Sequence, residues 1–135
     1  VRPAAAAAIT LLRGRCGGPL VSGPVRVTAS GGREVARAAL ATALGSELAA
    51  AENAGTVVHL VGYGDDPADL NPAAAVTVVM DKPDLLAHSS SPALIATYSS
   101  SPASMSALAD VLTGRAAPTG RSPVAVPGLP RTACR

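Results

Sequence analysis

Neither tryptophan nor phenylalanine occurs in this chain, and tyrosine appears only as Tyr63 and Tyr98, so aromatic content is 1%. A domain with so few rings builds its core from Ala, Val and Leu and offers no aromatic platform on which a sugar or a base could stack. That lowers the expectation of a carbohydrate-binding module. Positive charge is sparse and scattered: arginines run from Arg2 to Arg135, Lys82 is the single lysine, and the net charge is +2. Nucleic-acid binding needs a concentrated basic face, so no nucleic-acid partner is expected. Long apolar runs are missing too. The longest, Pro3 to Leu12, falls far below the roughly 20 residues that cross a bilayer. Arg15 stands directly before Cys16, where lipid-signal processing prefers a small residue, which argues against a lipid-acceptor cysteine.

What is present describes one compact domain spanning 1–135. A chain of 135 residues that is 48% hydrophobic is large enough for one core and too apolar for disorder. It begins at Val1 and not at Met, which reads as a fragment or a processed product. Cys16 and Cys134 are the only cysteines and stand near opposite ends. A bridge between them would stabilise by about 4–5 kcal/mol in the chain-entropy model and would suit an exported protein. The alternative is two unpaired thiols; the bridge is the favoured expectation.

The apolar pattern predicts an α/β fold. Ala8–Leu12, Val25–Ala29, Thr56–Val61, Ala75–Met80, Leu94–Tyr98 and Val124–Val126 read as short strands. A helix is predicted over about Arg33–Ala51, with Leu40, Leu44 and Leu48 on one face and Val35 nearby; Gly45 marks a place where it could break. Ser101, Pro102 and Gly114 predict a second helix with a serine cap, a proline at its first position and a glycine stop. Near-continuous apolar strands between helical stretches indicate a mostly parallel sheet covered by helices, a three-layer sandwich. Val61 and Val76 are too close for a full crossover helix, so that crossover is shortened or one strand there runs antiparallel.

Several chemistries find no support. There is no Gly-x-Ser-x-Gly elbow, and His88 beside Ser89 is adjacency, not a converging dyad. His59 lies inside a strand and reads as a satisfied, half-buried histidine; no metal site and no cofactor are expected. Ser30-Gly31-Gly32 joins a strand to a helix but lacks the three-glycine fingerprint and a P-loop lysine, so it reads as a tight turn. The carboxylates are the better candidates. Asp65, Asp66, Asp69, Asp81 and Asp84 all fall at or just beyond strand C-termini, the edge where open α/β sheets bind ligands. Asp65, Asp66 and Asp84 beside Pro67 and Pro83 also suit ordinary turn formation.

The order Ser91-Pro92-Ala93-Leu94-Ile95-Ala96-Thr97-Tyr98, Ser101-Pro102 to Gly114, then Ala117-Pro118-Thr119-Gly120-Arg121-Ser122-Pro123-Val124-Ala125-Val126-Pro127 resembles the end of the C-terminal α/β domain of glycoside hydrolase family 3. Ile9-Thr10-Leu11-Leu12-Arg13 looks like that domain's first strand, and Met80 to Leu86 like its strand-end segment. The resemblance implies a nucleophilic aspartate on an N-terminal (β/α)8 barrel, which takes about 250 residues and is not encoded here. In β-glucosidase-like members the acid/base glutamate follows a strand ending in glycine. Val61-Gly62-Tyr63-Gly64 looks like that position, with Tyr63 where the glutamate would be. Glu34, Glu47 and Glu52 all fall elsewhere. The departure favours the β-N-acetylhexosaminidase-like branch.

The expectation is therefore a C-terminal domain of an exported bacterial family 3 glycosidase, extracellular or in the cell envelope, structural or cleft-lining and not itself catalytic. The parent reaction would be retaining hydrolysis of terminal β-linked sugars such as N-acetylglucosamine. Its partner would be the catalytic barrel, with carbohydrate at the interface, and Tyr63, Asp65 and Asp66 are the residues expected to face the cleft. The alternative is an autonomous flavodoxin-like module that binds a small ligand or a protein without catalysis. Arg121 is expected to anchor the Gly120-Arg121-Ser122-Pro123 turn into an edge strand.

Overall fold

The structure is a computed structural model that describes residues 9–21, 24–45, 56–62, 64–81 and 83–134. Five strands, β1 (Thr10–Arg13), β2 (Val25–Ala29), β3 (Thr56–Val61), β4 (Val76–Val79) and β5 (Ala93–Ala96), form one sheet. Their order is β1-β5-β4-β3-β2. Strands β2 to β5 pair in parallel, and β1 closes the sheet antiparallel to β5. Two helices, α1 (Glu34–Leu44) and α2 (Pro102–Leu112), and two 3-10 turns, Pro67–Asp69 and Pro83–His88, complete the regular structure. The mostly parallel α/β sandwich expected from the apolar runs is the fold observed.

Side chains alternate across a strand, so each central strand feeds two cores. Val58, Leu60, Val76, Val78 and Ile95 pack with Leu40 and Leu44 of α1 and Leu108 and Leu112 of α2. Val61, Val79, Leu94 and Ala96 point to the opposite face, where Leu70, Leu85 and Leu86 of the connections cover them with Leu12 and Leu129. The second covering layer is thus made of 3-10 turns instead of helices. The β3–β4 connection is the shortened crossover and both strands are parallel. It stays compact because Asp66 caps its turn by accepting from Ala68 N–H at 2.9 Å, while Asp69 accepts from Asp66 N–H at 2.9 Å.

Helix α2 is built as its sequence implies. Ser101 Oγ accepts from Ser104 N–H at 3.2 Å, Pro102 opens the first turn, and Gly114 follows with φ +80°. Helix α1 is shorter than the predicted Arg33–Ala51. It ends at Leu44 because Gly45 leaves the helical conformation at φ +86° and takes over as its cap. Glu47, Leu48 and Glu52 lie outside the described residues. Val35 is not on the buried face. Ala36, Leu40 and Leu44 form that face, and Val35, one position out of phase, is 83% exposed.

The C-terminal segment corrects the sequence reading most. Val124–Val126 is not a strand: Val126 makes only an isolated bridge to Leu129. Pro123 and Pro127 flank the run and supply no N–H, so no ladder can propagate. Arg121 is exposed, and its guanidinium has no hydrogen-bond partner among the described residues. The turn is anchored by Ser122 instead, which is buried, donates Oγ–H to Val124 O at 2.6 Å and donates N–H to Arg131 O at 2.7 Å. The segment runs beside β1, where Gly120 N–H donates to Ile9 O at 2.8 Å and Ala133 N–H to Leu11 O at 2.6 Å. Cys16 and Cys134 are joined by a disulfide with Cα atoms 5.5 Å apart.

Candidate functional site

The parallel strands all finish on one edge of the sheet, and the loops leaving them enclose a cleft of about 450 Å³. The β2 exit and the start of α1 contribute Gly32, Arg33 and Val35; β3 contributes Gly62, β4 Asp81, and β5 Tyr98 with Ser99 and Ser100. This is where an open parallel sheet places ligands, because the loops splay outward there.

One wall is fixed by Asp65. Its Oδ2 accepts from Gly62 N–H at 2.7 Å and from Ser30 Oγ–H at 2.5 Å. Arg33 Nη2 lies 3.6 Å from Oδ1. Asp65 N–H also donates to Gly62 O at 3.1 Å, closing the turn between them. Burial alone pushes this carboxyl up, but the hydrogen bonds from Ser30 and Gly62 and the Arg33 charge outweigh it and hold Asp65 below the usual carboxylate range. The carboxylate therefore ties the β2–α1 loop to the end of β3.

The residues expected to face the cleft separate in the structure. Asp65 is turned into the latch just described, and Asp66 is the cap of its own 3-10 turn. Neither belongs to the cleft lining, and Tyr63 lies outside the described residues. Among the described residues the lining carboxylate is Asp81. Arg33, Tyr98 and the Ser99–Ser100 pair were not singled out as site residues from sequence, and Asp81 was one of the five strand-end carboxylates but not one of the residues expected to face the cleft. For Asp81 the available signal was its place directly after the apolar β4 run. Tyr98 carried none that separates it from a core residue.

Tyr98 has an unusual backbone. It takes φ +59°, the left-handed region that bulky residues avoid. The conformation is braced by Thr97 Oγ1, which donates to Ser99 O at 2.8 Å and so straddles the residue. The Tyr98 ring packs against the Val61–Leu94 core, and its hydroxyl is shut off from water without a partner among the described residues. The same side chain borders a second, more apolar cleft of about 380 Å³ with Pro83, Asp84, Pro123 and Val124.

The histidines and the serine cluster are accounted for structurally. His59 is buried; Thr28 Oγ1 lies 2.7 Å from Nδ1, and Nε2 lies 2.7 Å from Asp69 O. A carbonyl only accepts, so Nε2 carries the proton and Thr28 donates to Nδ1. Ser89 Oγ donates to Thr77 Oγ1 at 3.3 Å, not to His88. Thr77 and Ser91 share a further bond at 2.7 Å, and Arg13 Nη1 donates to the carbonyls of Ser89 and Ser91. Among the described residues no group of three or more His, Cys, Asp or Glu side chains could hold a metal ion. No helix among them is long and apolar enough to cross a membrane.

The chain matches no protein-family model and no curated protein. Its fold does match solved structures. A β-glucoside phosphorylase, BglX, is similar over 92% of this chain and 30% of its own, with 16% identity and a TM-score of 0.67. A glycoside hydrolase family 3 β-N-acetylglucosaminidase from Paenibacillus sp. str. FPU-7 is similar over 88% of this chain and 30% of its own, with 21% identity and a TM-score of 0.62. A fungal multi-domain GH3 β-N-acetylglucosaminidase gives 94% and 19% coverage, 14% identity and a TM-score of 0.65. The chain thus spans at most 30% of the length of these neighbours.

Proposed function

We propose that this α/β sandwich, which has the fold of one part of family 3 glycoside hydrolase chains, is the C-terminal domain of an exported bacterial member, of the β-N-acetylhexosaminidase-like branch. The parent reaction is then retaining hydrolysis of a terminal β-linked sugar such as N-acetylglucosamine. The observation that carries the reading is the fold match over about nine-tenths of this chain but under a third of its neighbours. A catalytic barrel packed on this domain is the partner, with carbohydrate between them. The disulfide fits an oxidising compartment, extracellular or in the cell envelope.

Within that protein the domain is structural and cleft-lining. Retaining glycosidases place two carboxylates about 5–5.5 Å apart. Here Asp65 Oδ2 already accepts from Ser30 and Gly62 while Oδ1 faces Arg33, Asp66 caps its turn, and Asp81 is the single carboxylate lining the cleft among the described residues. Tyr63 stands where the resemblance places a glutamate.

The reading is tested in two steps. The purified chain is assayed with chromogenic β-glucoside and β-N-acetylglucosaminide substrates, with and without inorganic phosphate, and no turnover is expected. Turnover that survives repurification and vanishes in Asp81→Asn would overturn the non-catalytic role. The flanking reading frame should encode a (β/α)8 barrel in frame with Val1. A frame without one would instead favour the autonomous small-ligand module, for which the 450 Å³ cleft at the strand C-termini is the supporting feature.

A further inference from the structure

Strand β1 is an edge strand, with β5 on one side only. Its outer side is not open. The segment from Ala117 to Cys134 runs along it without forming a strand, and two of its amides, Gly120 and Ala133, donate to the β1-side carbonyls of Ile9 and Leu11. Such a carbonyl row left bare is a template for pairing with another chain, and covering it is one way in which proteins manage a sheet edge.

The cover is held by little of its own. Pro118 and Val126 are the apolar residues of the segment that are buried among the described residues, and Leu129, Ala133 and Cys134 are only partly buried. Ser122 spends its bonds inside the segment, on Val124 and Arg131. The rest of the sheet, by contrast, draws nearly all of its two cores from strands, helices, 3-10 turns and their connections, the segment adding Leu129 on one face and Ala133 and Cys134 on the other. The cross-link that keeps the segment in place is Cys16–Cys134, and both cysteines are part-exposed, with Arg15, Gly17 and Gly18 exposed around Cys16. A reductant can reach it.

We propose that Ala117–Cys134 is a redox-released strap: oxidised, it covers the β1 edge, and reduced, it detaches while the sheet and both helices stay folded. The step needs a dithiol reductant. Its thiolate attacks one sulfur of the pair, forming a mixed disulfide and expelling the other as a thiolate that takes a proton. The second reductant thiol then displaces the first sulfur, which is protonated in turn. Two electrons and two protons pass to the protein, and the reductant leaves as its own disulfide. What the reduction uncovers is the carbonyl row at Ile9 and Leu11 and the part of the second core beneath Leu129.

Amide exchange of the ¹⁵N-labelled chain reads this directly. It is measured oxidised, in dithiothreitol, and in the Cys16→Ser/Cys134→Ser double variant. Gly120 and Ala133 report the strap; Met80 and Thr97, whose amides donate to Val61 O and Val79 O, report the sheet. In both reduced forms the two strap amides should lose their protection altogether, exchanging at least about 100-fold faster, while Met80 and Thr97 stay protected and accelerate less. Reoxidation of the wild type should restore them. Protection kept at either strap amide overturns the proposal. So does equal acceleration of Met80 and Thr97, because the bond would then be a staple for the whole domain.

Discussion

Replacing Asp65 by alanine removes one acceptor from two donors at once. Gly62 N–H and Ser30 Oγ–H, now 2.7 and 2.5 Å from the carboxylate, are both largely out of water and have nowhere equivalent to turn. A hydrogen bond to a charged group contributes about 1.5–3 kcal/mol, and two sharing one oxygen do not add fully, so the expected loss is about 2–4 kcal/mol at neutral pH. Asp65→Asn keeps one acceptor and loses the attraction to Arg33, for about 1–2 kcal/mol. The pH dependence separates this account from simple loss of packing. Burial pushes the Asp65 carboxyl up, yet the Ser30 and Gly62 bonds and Arg33 hold it below its ordinary value in the folded state. The unfolded chain therefore takes up its proton first, at about pH 4, and the native state only at lower pH. The contribution of Asp65 is full above the unfolded value and is lost as pH falls through the native one. Urea denaturation followed by far-ultraviolet circular dichroism should show a wild-type advantage over Asp65→Asn that is flat from pH 7 to about 5 and shrinks below about 4. An unchanged midpoint at neutral pH, or an advantage that grows on acidification, refutes the latch.

Gly114→Ala should cost about 2 kcal/mol or more by thermal denaturation, because the residue holds φ +80° and a Cβ there would meet the Pro19 backbone nitrogen at 2.8 Å. Recovery of the wild-type melting temperature would mean that the α2 stop and the Pro19 loop move together freely. Ser122→Ala should cost about 1 kcal/mol for its lost bond to Val124, whereas Arg121→Ala should stay within about 0.5 kcal/mol. The reverse ranking in denaturant midpoints would return the anchoring role to Arg121.

The fold was legible wherever a decision is local. β3 shows as Val57 to Val61 because β-branched runs suit a strand buried on both faces, and α2 shows because Ser101, Pro102 and Gly114 act within a turn of the residues they cap. The end of α1 was half legible. Gly45 marked a break, but the leucine spacing that continues to Leu48 carried the prediction past it. The Val124–Val126 strand failed for a reason also present in the sequence. Three apolar residues between prolines satisfy an apolar pattern yet cannot ladder, and the hydrogen bonds that the segment does make reach Ile9 and Leu11, more than a hundred residues away.

The site was legible only as an edge. That five aspartates fall at strand exits is visible along the chain; which of them turns outward is decided by partners that are not. Asp65 is drawn inward by Ser30 and Arg33 from the preceding crossover, 35 and 32 positions earlier by residue number. Asp66 and Asp69 satisfy each other's backbone across one 3-10 turn, which leaves Asp81 on the lining. The same comparison separates a carboxylate available for chemistry from one committed to structure. A general acid near neutral pH needs its pKa raised and an oxygen within reach of substrate. Asp65 is held the other way, with a lowered value, Oδ2 committed to Ser30 and Gly62, and Oδ1 facing Arg33. Its position at a strand end is therefore explained by the turn that it closes, and among the described residues Asp81 is the carboxylate left on the lining of the cleft.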